Sequence, residues 1–214
     1  MNNVTWYRDT ITKEELANLP SETFNGRIYV ITTINDAEKA IAELRKQSII
    51  GFDTETKPSH KKGDSHNISL IQLCANDFCF LFRVKNEPQI LKLVLSILED
   101  ETILKIGLSL KDDFRGLSIN DNFSPKNFIE LQSYVKEFGI KDNGLSRIYA
   151  NLFDKRISKK QRLSNWEADF LTNEQKNYAA LDAWATRRIY IELENFKNSN
   201  KPPPVSLLYY EDSI

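Results

Sequence analysis

Two carboxylates stand one residue apart at the end of an apolar run. Asp53 and Glu55 follow residues 49–52, Ile-Ile-Gly-Phe, which we predict to form a buried strand. Because side chains alternate along a strand, both carboxylates should lie on one face, with Ile50, Phe52 and Thr54 on the other. Acidic groups at the end of a buried strand are costly unless a cation meets them. The pair therefore predicts half of a site for hard divalent cations, which prefer oxygen ligands.

A third carboxylate comes from residues 109–117, Ser-Leu-Lys-Asp-Asp-Phe-Arg-Gly-Leu. If Ser109 is the N-cap of a helix, Asp112 completes an arrangement like a capping box. Asp113 instead shares the inward, apolar stripe of Leu110 and Leu117. A carboxylate that points inward needs a partner. We therefore assign Asp112 to the helix end and Asp113 to the site.

A fourth carboxylate lies on a long helix that should start after Leu171. Thr172 and Gln175 have the spacing of a capping box. Tyr178 and Asp182 are four residues apart and are neighbours on one helix face. Small residues at 179, 180, 183 and 185 allow this helix to approach a sheet closely. The Tyr-Asp pair is a common helix contact, and it gains weight only because it follows the other two motifs in order.

These side chains need elements that bring them together. Strands early in the chain and helices later, with a hairpin among the strands, predict an α/β fold in which helices flank a mixed β-sheet. We predict strands at 27–32, 49–54, 103–106 and 128–130, a hairpin of 67–75 and 78–84, and helices at 13–19, 36–45, 88–98 and from about 109. We predict that residues 27–197 form one domain between a lead-in, 1–26, and a Pro-rich break with a tail, 198–214.

In this order the motifs resemble those of the Tyr-type four-carboxylate 3′–5′ exonucleases, the group of the Werner syndrome exonuclease and ribonuclease D. The matching segments are 51–55, 105–113 and 178–183, and residues 128–131 and 163–167 are also similar. The resemblance covers about residues 27–196. It implies a ribonuclease-H-like fold. Histidine replaces the tyrosine in a sister branch, but His60 and His66 lie near the first motif and cannot take the place of Tyr178.

The resemblance also implies a chemistry. Two divalent cations, Mg²⁺ or Mn²⁺, would be held by four carboxylates, and Tyr178 would orient the attacking water. The substrate would be the 3′ end of DNA or RNA, and the product a nucleoside 5′-monophosphate. The implied metal ligands, which with Tyr178 make up the catalytic set, are Asp53, Glu55, Asp113 and Asp182.

Contacts to the substrate are predicted in two places. Thr54 and Thr56 flank Glu55 and are candidates through the family resemblance alone. Residues 155–162 carry five basic side chains that could follow a phosphate backbone, although a solvated loop would have the same composition. These five are Lys155, Arg156, Lys159, Lys160 and Arg162. A weaker basic candidate is 60–62.

The composition is that of an ordinary globular protein. Of the 214 residues 41% are hydrophobic and 28% charged, and the net charge of -1 argues against a protein that coats nucleic acid through a broad basic surface. No apolar stretch has the length of a membrane span. Residues 1–8 lack the layout of a signal peptide, so we expect a cytoplasmic location. Cys74 and Cys79 flank a predicted Asn76-Asp77 turn and should face each other as buried, reduced thiols rather than zinc ligands.

Two other functions remain open at this stage. A non-catalytic module that binds nucleic acid could use the same fold, but it gains nothing from four clustered negative charges facing phosphate. A hydrolase of short oligonucleotides would use the same residues as an exonuclease, and only the length of its products separates the two. A third function, a carboxylate-lined phosphatase of another fold, is disfavoured because this sequence shows no nucleophilic aspartate motif. The sequence does not choose between DNA and RNA.

Overall fold

The computed structural model describes residues 7–58, 68–118 and 123–199. In these residues one mixed sheet is built from β1 (Arg27–Ile31), β2 (Ile49–Thr56), β3 (Ile68–Cys74), β4 (Phe78–Arg83), β5 (Leu104–Gly107) and β6 (Phe128–Glu130). Their order across the sheet is β1-β4-β3-β2-β5-β6. The β2–β3 and β3–β4 pairs are antiparallel, and the β1–β4, β2–β5 and β5–β6 pairs are parallel.

Helices flank this sheet, which confirms the predicted α/β class. They are α1 (Lys13–Asn18), α2 (Ile34–Leu44), α3 (Pro88–Leu98), α4 (Leu110–Leu117), α5 (Leu131–Tyr134), α6 (Leu145–Phe153) and α7 (Asn173–Ser199), with a 3₁₀ helix, Val135–Phe138, after α5. α3 has the predicted bounds, because a proline is well tolerated in the first turn of a helix. Among the described helices none has both the length and the apolar character that crossing a membrane requires.

The sheet separates two hydrophobic layers. On one face Leu70 and Leu81 pack with α6 and α7. On the other face Phe52 and Ile71 pack with α2 and α3. The alternation predicted for β2 is therefore confirmed, because Phe52 belongs to the layer opposite α7.

The long helix α7 lies very close to β2. A Cβ atom added at Gly51 would stand 1.8 Å from the carbonyl oxygen of Ala183, so only glycine fits there. Ala179, Ala180 and Ala183 are fully buried in the same layer. The small residues of α7 thus allow the close approach that the sequence predicts, and this approach carries the side chains of α7 to the end of β2.

The prediction of reduced cysteines is wrong, because Cys74 and Cys79 form a disulfide. The two residues are direct partners in the β3–β4 ladder, with Cα atoms 4.1 Å apart. The hairpin closes next to them through a bond from the Ala75 N–H to the Phe78 carbonyl oxygen at 2.9 Å. The predicted pairing is confirmed, and it holds the two sulfur atoms within bonding reach.

Candidate active site

Three carboxylates meet where the end of β2 faces α7. One oxygen each from Asp53, Glu55 and Asp182 lies within 4.8 Å of the others. The Oδ1 atom of Asp182 is buried, and no described residue offers it a hydrogen bond. Crowded anionic oxygens, one of them without a donor, match the ligand set of a hard divalent cation. The residues present therefore fit a divalent metal.

The fourth predicted carboxylate lies beside this group. Asp113 accepts a hydrogen bond from the hydroxyl of Thr54, and its oxygens are not part of the three-carboxylate cluster. Asp112 points to solvent with 84% of its side chain exposed and pairs with Arg115 at 3.1 Å. The two neighbouring aspartates thus face opposite ways, and Asp113 is the inward one, as the helical spacing predicts.

The start of α4, which carries Asp113, is held by a residue that the sequence analysis missed. The N–H groups of Ser109 and Leu110 donate to the two carboxylate oxygens of Glu130, at 3.0 and 2.8 Å. The predicted capping role of Ser109 and Asp112 is wrong, because Ser109 has a left-handed backbone (φ 64°) and its side chain makes no capping bond. Glu130 ends β6 opposite Gly107 of β5, so only the strand pairing brings it there.

The electrostatics of the site are those of crowded, poorly solvated acids. Burial, and then the charges of Asp182 and Asp113, raises the pKa of Asp53 well above its usual value. Burial and the neighbouring carboxylates raise the pKa of Glu55 to about 10. Burial also raises the pKa of Asp113 to about 6 and that of Asp182 to about 7. A bound cation would reverse these shifts, because it stabilises the ionised carboxylates.

Tyr178 lies one helical turn before Asp182 and faces the same cluster. Its ring packs against that of buried Trp166, with centroids 6.0 Å apart. Burial, and then the charges of Asp182 and Glu55, raises the pKa of Tyr178 above its usual value. The hydroxyl therefore keeps its proton at neutral pH and can donate a hydrogen bond.

The start of α7 has the predicted capping box. The N–H of Thr172 donates to the Gln175 side chain at 2.9 Å, and the N–H of Gln175 donates to the Thr172 hydroxyl at 3.2 Å. The Gln175 amide also donates to the carbonyl oxygen of Asn165 at 3.3 Å. This cap fixes the first turns of α7, and with them the positions of Tyr178 and Asp182.

The basic segment 155–162 divides into two parts. Lys155 binds buried Glu22 at 3.1 Å, and Arg156 donates to the carbonyl oxygen of Leu19 at 2.9 Å, so both tie the segment to residues before β1. The positive charge of Lys159 opposes the rise in the pKa of Asp182, and that of Arg162 does the same for Glu55.

Lys159 and Arg162 are thus the two basic residues of this segment whose charges act on the metal-ligand candidates. Lys160 is exposed. Of the two threonines, Thr54 is engaged by Asp113, and Thr56 is exposed at the end of β2. The weaker basic candidate, 60–62, lies outside the described residues.

Gln72 is a second residue that the sequence analysis missed. It is the direct partner of Asp53 in the β2–β3 ladder. The side chain is fully buried, and neither its amide nitrogen nor its amide oxygen has a hydrogen-bond partner among the described residues. The signal in the sequence is a long polar side chain in a strand, β3, whose other residues are apolar except for Ser69.

Fold and site together define an α/β protein with a carboxylate site for divalent metal between a mixed sheet and a helix. The chain belongs to the 3′–5′ exonuclease family, whose model matches residues 28–196. This match confirms the family resemblance that the sequence motifs indicate.

Named relatives agree with this assignment. The bifunctional 3′–5′ exonuclease/ATP-dependent helicase WRN of Mus musculus is 31% identical over 83% of this chain and 13% of its own length. A 3′–5′ exonuclease of Arabidopsis thaliana is 26% identical over 92% of this chain and 74% of its own length. The chain therefore corresponds to a small part of the mouse protein and to most of the plant one.

Solved structures show the same fold. The exonuclease domain of Nibbler from Aedes aegypti superposes with a TM-score of 0.75 at 22% identity, covering 87% of this chain and 97% of that one. Trypanosoma brucei RNase D, in complex with the RNA U12, superposes with a TM-score of 0.69 at 21% identity, covering 85% of this chain and 65% of that one. The ribonuclease-H-like architecture is thereby confirmed.

Proposed function

We propose that this chain is a metal-dependent 3′–5′ exonuclease that hydrolyses the terminal phosphodiester bond of DNA or RNA and releases nucleoside 5′-monophosphates. The observation that carries the proposal is the meeting of Asp53, Glu55 and Asp182 within 4.8 Å in a chain of the exonuclease family. The proposed domain is 27–197. A cytoplasmic location is also proposed, and imaging of a tagged chain would test it.

The proposed metal ligands are Asp53, Glu55 and Asp182, with Asp113 serving a second ion. Mg²⁺ and Mn²⁺ are the proposed ions, because carboxylate oxygens suit hard cations and no sulfur or imidazole ligand is in the set. Bound divalent ions supply positive charge to a phosphodiester under attack. The pKa values of Asp53 and Glu55 are raised well above their usual range. Shifts of this kind are typical of functional sites, and they support the presence of a cation in the working enzyme.

The protein's own groups then have distinct proposed tasks. Tyr178 holds its proton and orients the attacking water by a hydrogen bond. Trp166 packs against the ring of Tyr178 and limits its movement. Thr54 fixes the carboxylate of Asp113 through its hydroxyl. Glu130 anchors the first turn of α4 on which Asp113 sits.

Lys159, Lys160 and Arg162 are the proposed contacts to the phosphate backbone near the 3′ end. The positive charges of Lys159 and Arg162 are close enough to oppose the rise in the pKa of Asp182 and Glu55, respectively. They would therefore also attract a phosphate bound beside these two carboxylates. Lys155 and Arg156, which are engaged by Glu22 and Leu19, have the proposed task of positioning the segment. Thr56, which is exposed beside Glu55, is a proposed contact to the terminal nucleotide. Thr54 is a second proposed contact, and it would touch the nucleotide while its hydroxyl donates to Asp113.

The test uses 5′-labelled DNA and RNA strands of matched sequence, each single-stranded or recessed in a duplex, incubated with Mn²⁺. The proposal expects a ladder that shortens from the 3′ end and nucleoside 5′-monophosphate as product. Hydrolysis of dinucleotides alone would assign the chain to the short-substrate hydrolases. Binding of a strand without any cleavage would assign it to the non-catalytic modules.

A further inference from the structure

Gln72 occupies a fully buried position, where an amide side chain is destabilising unless it forms hydrogen bonds. It lies on β3 between Leu70 and Cys74 on the face covered by α7, and all three are fully buried. Its ladder partners are Leu81 on β4 and Asp53 on β2. An amide that is buried without hydrogen bonds is destabilising relative to an apolar side chain of similar shape. Gln72 therefore lowers the stability of the fold as long as its amide has no partner.

Its one polar ladder partner is a proposed metal ligand. Side chains of direct antiparallel partners lie on the same side of the sheet, with Cβ atoms roughly 4.5–5.5 Å apart. An amide nitrogen at the end of a glutamine side chain is within range of a carboxylate at that separation. The amide nitrogen is also the kind of donor that a carboxylate accepts from, and among the described residues it has no acceptor.

We propose that Gln72 is a positioning residue for Asp53: its amide N–H donates to the Asp53 carboxylate when that carboxylate binds metal, and so holds the ligand in orientation. The inference rests on the proposed function, because it requires a cation at Asp53. Carboxylates that bind metals are commonly held by a second hydrogen bond, and loss of that bond typically weakens metal affinity by about 10- to 100-fold.

The test compares Gln72→Met with the wild type after metal removal with EDTA and dialysis. Methionine has a similar length and no donor. Two quantities are measured: the melting temperature without metal, and the Kd for Mn²⁺ by titration calorimetry. The matched control is Ile71→Met, a fully buried neighbour on the opposite face of the same strand.

The expected result separates the two quantities. Gln72→Met should melt without metal at or above the temperature of the wild type, because no hydrogen bond is lost in that state. Its Kd for Mn²⁺ should rise about tenfold or more. Ile71→Met should leave the Kd unchanged. In an Asp53→Asn background, Gln72→Met should weaken Mn²⁺ binding no further, because the group that it positions is already altered.

Two results would overturn the inference. One is an unchanged Kd for Mn²⁺ in Gln72→Met. The other is a variant that unfolds or melts far below the wild type without metal, which would make Gln72 a structural residue. If the wild type itself binds no Mn²⁺, the proposed function fails as well, so failure of the inference alone is recognisable by normal metal binding in the wild type.

Discussion

Asp53, Glu55 and Asp182 place three acidic groups together where β2 meets α7, with Asp53 and Glu55 partly buried and Asp182 buried. Burial and mutual repulsion raise their pKa values, and these shifts mean that the folded chain without metal resists ionising them. Catalytic groups are often positioned at such a cost to stability. At the scale of single residues, the site thus concentrates the negative charge that a divalent cation would neutralise.

Tyr178 should matter for the rate and little for metal binding, because its hydroxyl orients water and the carboxylates hold the metal. Tyr178→Phe is expected to lower kcat by about 100-fold, a typical effect for a group that handles protons, with an unchanged Kd for Mn²⁺. Steady-state kinetics and calorimetry measure the two. The matched control is Tyr190→Phe on the same helix, whose ring contacts Tyr134 away from the site. A weakened Kd in Tyr178→Phe would contradict this role.

Residue spacing was sufficient to predict the acidic set and Tyr178 as candidates, and the structure brings them to one region. The choice of Asp113 over Asp112 followed from helix periodicity alone. Gln72 and Glu130 escaped prediction for a physical reason. The environment of Gln72 depends on which strand lies beside β3, and that of Glu130 on the pairing of β5 with β6, neither of which is encoded locally.

At the scale of elements, the site depends on how α4 and α7 are attached to the sheet. α4 begins on the carboxylate of Glu130, and α7 begins on its own capping box. The second attachment lies within four residues and is predictable from sequence. The first replaces the local cap that Ser109 would supply, because Ser109 has a left-handed backbone and its side chain makes no capping bond.

Loss of the Glu130 charge should loosen the start of α4. Glu130→Gln keeps the shape but leaves one acceptor oxygen for the three N–H groups of Ser109, Leu110 and Gln132. We expect a cost of about 1 kcal/mol in the free energy of unfolding, with a lower kcat because Asp113 moves with the helix. Urea unfolding and kinetics test this. The control is Glu99→Gln, which alters a carboxylate that accepts from the N–H of Ser124. Equal effects of both variants on kcat would contradict the expectation.

The close contact between β2 and α7 should tolerate no added atom. Gly51→Ala places a Cβ against the Ala183 carbonyl oxygen, so α7 must shift, and we expect a loss of about 3 kcal/mol or more in the free energy of unfolding. Gly144→Ala is the matched control, because nothing lies within 4 Å of the Cβ that it adds. Urea unfolding compares the two variants. A Gly51→Ala protein as stable as Gly144→Ala would show that α7 is not held so closely.

At the scale of the whole molecule, the net charge is only -1, although the candidate active site is strongly acidic. The overall order of strands and helices, and the mixed sheet, followed from the apolar patterns. The disulfide did not, because the spacing of Cys74 and Cys79 predicts that they face each other but not whether their sulfur atoms are bonded. The wider architecture is therefore more predictable than the chemistry of individual buried pairs.

Without bound metal, the free energy of unfolding should depend on pH through the carboxylates of the site, one of which is Asp182. Its pKa is raised from 3.8 to about 7 in the folded chain, so the folded state holds a proton that the unfolded state releases over this range. Stability is therefore expected to fall as pH rises from about 4 to about 7. Asp182→Asn removes the contribution of this carboxyl to the pH dependence. In EDTA, the gain in the free energy of unfolding of the variant over the wild type should therefore be small at pH 4 and largest above pH 7. Urea unfolding at a series of pH values measures it. Exposed Asp112→Asn serves as control, and a similar trend there would refute the assignment.

The most direct test of the account is cleavage of a 5′-labelled single strand by the wild type and by Asp53→Asn, each with Mn²⁺ and with EDTA. Asp53 lies in the cluster with Glu55 and Asp182, and the charge of Asp113 also acts on it. Asparagine preserves the shape of its side chain while removing the charge. We predict a ladder shortening from the 3′ end only for the wild type with Mn²⁺, while the variant keeps a cooperative melting transition. Full activity of Asp53→Asn, or equal activity of the wild type in EDTA, would contradict the account.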